Sequence, residues 1–338
     1  MTETVLLTGG AGYIGSHTYL SLIAAGHRVV ILDDFSNAQR SVIDRLERIT
    51  GSEVLCEEGD VRDRAALDRV LDRHGITAAV HFAAKKAVGE SVARPLDYMA
   101  TNIGGLVTLM QAMQDRDIFR LVFSSSATVY GAPETVPISE TARLDYTNPY
   151  GFTKLASEQI LEQAARAEPR WRIGVLRYFN PAGAHPSGLI GEDPMGVPAN
   201  LMPFVARVAL DRLPEVQVFG DDYPTPDGTG VRDYIHVMDL AEGHALSLAA
   251  LEGETGGHVV NLGTGQGYSV LEVIAAYGRA SERGLPYRIA GRRAGDVAAC
   301  YADPARAAEL LGFRASRGLD EMCASDWHWV QTGLGANR

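Results

Sequence analysis

At 338 residues the chain can bury one large core or two moderate ones, and a two-lobed single enzyme is the natural expectation for that size. Hydrophobic residues make up 46% and charged residues 22%, the balance of a folded globular protein, which argues against disorder. The net charge of -11 would repel a phosphodiester backbone and no apolar run approaches a membrane span, so nucleic-acid and membrane functions are excluded.

A small anionic ligand remains open, because a few local arginines can outweigh a distant net charge. The first four residues pass directly into an apolar strand and leave no room for a signal-peptide core. Three widely spaced cysteines, Cys56, Cys300 and Cys323, support neither a disulfide framework nor a metal site. The chain is therefore expected to be cytoplasmic and to bind no metal.

In chain order, short apolar runs at 4–7, 29–32, 54–57, 78–82, 120–124 and 173–177 read as strands. Helical spacing of apolar positions falls between them at 14–25, 65–74, 96–114 and 150–167. This alternation predicts a doubly wound parallel α/β sheet of the Rossmann type. After Asn180 the sequence becomes rich in Pro and Gly, as in NPAGAHPSGLIGEDPMGVP and GDDYPTPDGTG, which marks binding loops. A helix at 239–251 and a last buried strand at 258–262 are expected to return to the sheet. The predicted organisation is a dinucleotide-binding domain of residues 1–179 plus about 236–262. A smaller second lobe is assembled from about 180–235 and 263–338.

The first strand runs into Gly9-Gly10-Ala11-Gly12-Tyr13-Ile14-Gly15 and then a helix. Glycines there permit a tight turn and let backbone N–H groups approach a pyrophosphate at the positive end of the helix dipole. Asp33 ends the second strand about 20 residues on, where a carboxylate accepts from both ribose hydroxyls of NAD. A 2′-phosphate would meet Asp33 and Asp34 with Arg40 the only nearby cation, which favours NAD over NADP. Asp60, after the third strand, is placed either to accept from an adenine amino group or to cap a helix.

Ser126 just past the fifth strand, with Tyr150 and Lys154 four apart on one helix face, forms the second motif. A tyrosine of pKa about 10 is a poor base at neutral pH. An ammonium about 4 Å away would stabilise its phenolate by roughly 4 kcal/mol at an effective dielectric near 20, about three pKa units. Ser126 can hydrogen-bond the same substrate hydroxyl and hold it for proton transfer. The trio thus reads as machinery for oxidising a carbon that bears a hydroxyl.

With these residues on the page, the chain resembles the extended short-chain dehydrogenase/reductases and, within them, the UDP-sugar 4-epimerases. The resemblance runs through TGGAGYIGSH, HFAAKKAVGESV, SSSATVYG, NPYGFTK, RYFNPAGAHPSG, GTGVRDYIHVMDLA, NLGTG and RRAGD, in that order. It implies a tightly held NAD that is never consumed. Tyr150 acts as base, Ser126 orients the hydroxyl, and Lys154 tunes the phenol and contacts ribose. UDP-galactose and UDP-glucose are then interconverted by oxidation at C4, rotation of the 4-keto sugar and re-reduction.

The resemblance also implies cofactor contacts at Tyr13, Ile14, Asn37, Val61, Phe82, Ala83, Ala84, Lys86 and Asn102, with Phe179 near the nicotinamide. Thr101 stands beside Asn102 where some relatives carry two asparagines. Asn180, Asn200, Arg232 and Arg293 would surround the UDP diphosphate, Asp296 its ribose, with Leu201 and Phe219 completing the substrate contacts. Cys300 takes a place where relatives selective for unacetylated sugars carry tyrosine, so UDP-GalNAc and UDP-GlcNAc are expected as further substrates.

Related nucleotide-sugar dehydratases carry an Asp-Glu pair after the catalytic hydroxyl residue. Here Ala127 and Thr128 stand there, and neither can move a proton as a carboxyl would. A net reductase using free NAD and a non-catalytic NAD-binding regulator could be built on the same fold. The resemblance suggests a homodimer pairing the helices around 96–114 and 150–167.

Overall fold

The fold is described from a computed structural model that covers residues 3–195, 200–253, 256–293 and 295–334. Residues 1 and 2 of the apolar start, and residues 335–338 of the expected second lobe, lie outside the described residues. Seven strands form one parallel sheet: β1 (Thr4–Thr8), β2 (Arg28–Asp33), β3 (Leu55–Glu58), β4 (Ala78–His81), β5 (Arg120–Ser124), β6 (Arg172–Tyr178) and β7 (His258–Leu262). Their order is β7-β6-β5-β4-β1-β2-β3. Val5, Leu6 and Leu7 of β1 are all fully buried, as expected of a strand covered by helices on both faces.

One face of the sheet packs Leu7, Ile31 and Val80 against Tyr19, Leu22, Leu240 and Leu248 of the helices Tyr13–Ala24 and Val237–Ala250. The other packs Leu6, Val30 and Phe123 against Leu67, Leu71, Leu106, Leu109 and Leu161. Strand order reverses between β1 and β4, which opens a crevice at the carboxyl ends of those strands. Gly9, Asp33, Asp60, Phe82, Ser126 and Phe179 all lie at or just beyond carboxyl ends, so the sheet gathers them along one edge.

The stretch 96–114, expected as one helix, is three pieces. A short helix Pro95–Tyr98 leads into a π-helical turn Met99–Gly104 and then the helix Gly105–Gln114. The wider turn aims the buried Asn102 inward, where its Oδ1 accepts from Lys85 N at 2.8 Å. Its Nδ2 donates to Lys85 O at 3.0 Å and to Thr153 Oγ1 at 2.9 Å. Three hydrogen bonds made by one buried amide favour this local departure from α geometry. Two α-helices in the first 179 residues carried no sequence expectation, Ser41–Thr50 and Val88–Ala93, and in the second lobe neither did Leu201–Ala209, Val270–Ser281, Ala305–Leu311 and Leu319–Gln331.

The second lobe is less irregular than its Pro and Gly content suggests. It holds the helix Leu201–Ala209, the strand pair Asn180–Ala182 with Tyr234–His236, and the pair Val216–Phe219 with Tyr287–Ala290. Val231–Arg232 lies between Tyr268–Ser269 and Ala299–Cys300. A core of its own packs Met202, Val205, Val218, Tyr234, Tyr277 and Met322 together. No described helix is long and apolar enough to cross a membrane.

Candidate active site

β1 ends at Thr8, and Gly9 turns the chain with φ of +70°. A Cβ at Gly9 would lie 2.7 Å from Ala83 N, and one at Gly15 would lie 2.3 Å from Gly9 O. Only glycine permits this approach between the turn, its helix and the segment after β4. The helix Tyr13–Ala24 begins at Gly12 with no side-chain cap and no acid in its first turn. Its first N–H groups, which have no partners within the helix, are thus left to an anion at the positive end of the dipole. A dinucleotide pyrophosphate fits this cradle.

Asp33 closes the turn from the neighbouring strand. Its Oδ2 accepts from Ala11 N and its Oδ1 from Phe35 N, both at 2.9 Å. Burial raises its pKa against those two N–H donors. Asn37 follows in an exposed loop, and Ile14, in the first helical turn, is half-buried. Beyond β3, Val61 is buried against Gly105, and the Asp60 carboxylate is gripped by Arg62, whose Nε lies 2.9 Å from its Oδ2. That pairing lowers the Asp60 pKa. Asp60 is not a helix cap: Asp63 caps the helix Arg64–His74, accepting from Ala65 N and Ala66 N.

The segment after β4 carries Phe82, Ala83, Ala84 and Lys86. Phe82 packs on His244 with ring centroids 4.6 Å apart, and Asn102 pins Lys85 between them. The side-chain amide of Asn102 is committed to Lys85 and Thr153, so its bearing on a cofactor runs through this segment.

Ser126 leaves β5 in an extended conformation and caps a short 3-10 turn, accepting from Thr128 N at 3.3 Å. Asn148 caps the helix Pro149–Ala167, which presents Tyr150 and Lys154 inward. Burial drives the Tyr150 phenol far above its ordinary pKa; nearby Tyr178 adds to this, and a hydrogen bond with Ser126 opposes it.

Lys154 Nζ donates to Ser124 O at 2.7 Å and stands 6.0 Å from the Tyr150 ring centre. Burial lowers its pKa to about 8, with Glu158 opposing. The expectation that Lys154 alone brings the phenol into working range is therefore corrected. The ammonium is held by the Ser124 carbonyl, and desolvation of the phenol outweighs it.

Beneath the trio lies a buried network that sequence reasoning missed. Glu158, one helical turn beyond Lys154, accepts from Ser125 Oγ at 2.5 Å and from Arg177 Nη2 at 2.6 Å. Arg177 Nη1 donates to Tyr130 OH at 3.1 Å, and Tyr130 OH donates to Asn261 Oδ1 at 2.6 Å. The network holds the residue next to Ser126 and joins β6 and β7 to the catalytic helix. Its only trace in the sequence was the spacing Tyr150, Lys154, Glu158 on one face.

In the second lobe, Phe179 is buried and Asn180 N donates to Asp233 O at 2.9 Å. The Arg293 guanidinium lies 3.8 Å over the Phe219 ring. Arg232 Nη1 donates to Val231 O at 2.8 Å, and its Nη2 lies 3.8 Å from Asp296. Asn200 donates to Glu192 at 2.7 Å, with Leu201 opening the next helix. Cys300 is paired in register with Arg232 and packs against the small core that contains Ile138, Phe179 and Ala302. Burial pushes its thiol up to about 11, against Arg232.

Asp233, also missed in the sequence, is fully buried and takes Thr264 N, Gly265 N and Ala302 N, which sets these loops around the site. The structure thus brings Phe219 to Arg293, and Arg232 to both Asp296 and Cys300. Asn37 stands apart from all of them on its exposed loop.

Residues 5–263 match the model of the NAD dependent epimerase/dehydratase family. A UDP-glucose 4-epimerase of Bacillus subtilis (strain 168) is 54% identical over 330 residues, spanning 98% of this chain and 97% of that protein. The chain belongs to the UDP-glucose 4-epimerases of that family.

Two solved members of this epimerase group share the fold at 50% identity. The Bifidobacterium longum UDP-glucose 4-epimerase, solved with NAD+ and UDP, superposes with a TM-score of 0.94 over 98% of this chain and 99% of its own. The Stenotrophomonas maltophila UDP-glucose-4-epimerase, solved with NAD and formylated UDP-arabinopyranose, superposes at 0.96 over 98% of each chain.

Proposed function

We propose that this chain interconverts UDP-galactose and UDP-glucose in the cytoplasm as a homodimer, by oxidation at C4, rotation of the 4-keto sugar and re-reduction. The observation that carries this reading is Tyr150 and Lys154, both buried on the helix Pro149–Ala167, set with Ser126 at the same carboxyl edge as the uncapped glycine turn. NAD, when bound, supplies a reversible hydride acceptor and, oxidised, a positive charge near the phenol.

The chain's own residues handle the proton. Tyr150 takes it from the sugar hydroxyl as base and returns it as acid, and Ser126 Oγ orients that hydroxyl. Lys154 keeps the phenolate from being a lone buried anion. Gly9, Gly12 and Gly15 hold the pyrophosphate against the helix, and Asp33 accepts from the adenosine ribose. Arg232 and Arg293 neutralise the diphosphate, with Phe219 packed under the Arg293 guanidinium. Ala127 and Thr128 offer no carboxyl for dehydration.

The position of Cys300, against the small core that contains Phe179 and in register with Arg232, supports acceptance of N-acetylated sugars, because a thiol leaves room that a phenol ring would fill. Dimerisation is supported by apolar side chains left uncovered on the helices within 88–114 and on the helix Pro149–Ala167: the exposed Val88, Val92 and Leu96, the half-buried Ile103 and Val107, and the half-buried Phe152, Ala156 and Ile160. Light scattering on the purified protein should give twice the 36.3 kDa chain mass.

The deciding experiment incubates purified protein with UDP-galactose and no added NAD. Formation of UDP-glucose is expected. No product without added NAD, or stoichiometric NADH release, would overturn the reading in favour of a reductase or a binding protein.

A further inference from the structure

We propose that Glu192 is a positioning residue that latches segment 183–195 across the mouth of the cofactor crevice and couples the hold on NAD to the hold on the UDP-sugar. This rests on the proposed function. The segment leaves the strand Asn180–Ala182 and touches three separate parts of the cofactor edge. Tyr13 OH, at the glycine turn after β1, donates to Gly183 O at 2.5 Å. Gln39, in the loop after β2, donates to Met195 Sδ. Lys86, after β4, places Nζ 3.2 Å from Glu192 Oε1. Because β4, β1 and β2 are adjacent, these contacts span the crevice where strand order reverses.

The outer side of the segment is braced by the helix Leu319–Gln331. Ala184 N donates to Ser325 Oγ at 3.1 Å. A Cβ at Gly188 would meet His328 at 2.6 Å and one at Gly191 would meet Trp329 at 2.4 Å, so the strap lies flat on that helix.

Within this strap the Glu192 side chain is only 6% exposed. The one oxygen Oε1 receives both Lys86 Nζ at 3.2 Å and Asn200 Nδ2 at 2.7 Å. Lys86 belongs to the cofactor side and Asn200 to the substrate side. A nearly buried carboxylate shared by two donors makes the position of each depend on the other, since moving either leaves a charged acceptor partly unsatisfied. Ligand that engages Asn200 thus changes how firmly Lys86 and the strap are held, and linkage requires the reciprocal effect.

The test measures NAD loss from the purified holoenzyme over time by gel filtration and an enzymatic cycling assay, with and without saturating UDP, in wild type, Glu192→Gln and Glu192→Asp. Wild type is expected to hold NAD and to lose it more slowly with UDP present. In Glu192→Gln the loss should be about 5- to 100-fold faster and no longer respond to UDP, the range typical of site-to-site coupling. Glu192→Asp, too short to reach both donors, should show the same in weaker form and covers the case that Glu192→Gln does not fold.

An unchanged urea midpoint together with a lost response to UDP separates positioning from general structural support. Wild-type loss rates and wild-type UDP response in both variants would overturn the latch and leave the epimerase reading intact. Wild type that ignores UDP would overturn the latch alone, whereas wild type that holds no NAD would overturn the epimerase reading and the latch with it.

Discussion

Replacing Gly9 by alanine separates two roles that glycine plays at the turn. Gly9 and Gly51 share nearly the same backbone, with φ of +70° and +67°, but differ in what a Cβ would meet. At Gly51, which ends the helix Ser41–Thr50, nothing lies within 4 Å, whereas at Gly9 the backbone of Ala83 lies at 2.7 Å and that of Phe82 at 3.0 Å. The left-handed conformation alone costs roughly 1–2 kcal/mol for a residue with a Cβ. Forcing a methyl against backbone that cannot rotate away adds roughly 1–3 kcal/mol more.

Gly51→Ala should therefore lose about 1–2 kcal/mol, and Gly9→Ala about 2–5 kcal/mol. The larger loss also carries a functional consequence, because pushing the 82–84 segment away from the turn opens the cofactor cradle. Urea unfolding of both variants, with and without excess NAD, is the assay. Added NAD should stabilise wild type and Gly51→Ala but do little for Gly9→Ala. Equal losses in the two variants, or full stabilisation of Gly9→Ala by NAD, would refute the close-approach reasoning.

Three further outcomes are expected. Tyr150→Phe should cut turnover by about 10²–10⁴-fold while NAD content and UDP binding stay at wild-type levels; residual activity within tenfold of wild type would remove Tyr150 as the proton-transfer group. Cys300→Tyr should lower kcat/KM for UDP-GalNAc by at least about tenfold more than for UDP-galactose, and an unchanged ratio would contradict the pocket assignment. Lys154→Met should abolish efficient turnover yet raise stability at pH 7.

The sign for Lys154 follows from its pKa, lowered from 10.5 to about 8 in the fold. Between those values the unfolded chain holds more protons, so wild-type stability from this group rises with pH and the penalty is fully present below 8. The gain in Lys154→Met should be about 2 kcal/mol at pH 7, after about 1 kcal/mol for the Ser124 carbonyl left without its donor. It should shrink as pH climbs toward 10.5. A gap that stays constant across this range would show that Lys154 is not destabilised by burial.

The frame was legible in the chain alone: six strands read as apolar runs, the return strand His258–Leu262 to the residue, the glycine turn, Asp33 and Ser126 at carboxyl ends, and Tyr150 with Lys154 on one helix. Those features are local, because strand periodicity, turn chemistry and helix spacing are properties of neighbouring residues. Only the tertiary structure decided where lone polar groups find partners. Asn102 drew a helix into a π turn to reach Lys85 and Thr153. Glu158 met Arg177 from another element, and Glu192 gathered Lys86 and Asn200 across more than a hundred residues of chain.

The balance at Tyr150 belongs to the same class. Spacing put a lysine on its helix face, but the dielectric around the pair and the carbonyl that claims the ammonium are set by packing from distant strands. Burial, which no short window of sequence records, decides whether a charge is stabilised by its neighbour or suppressed.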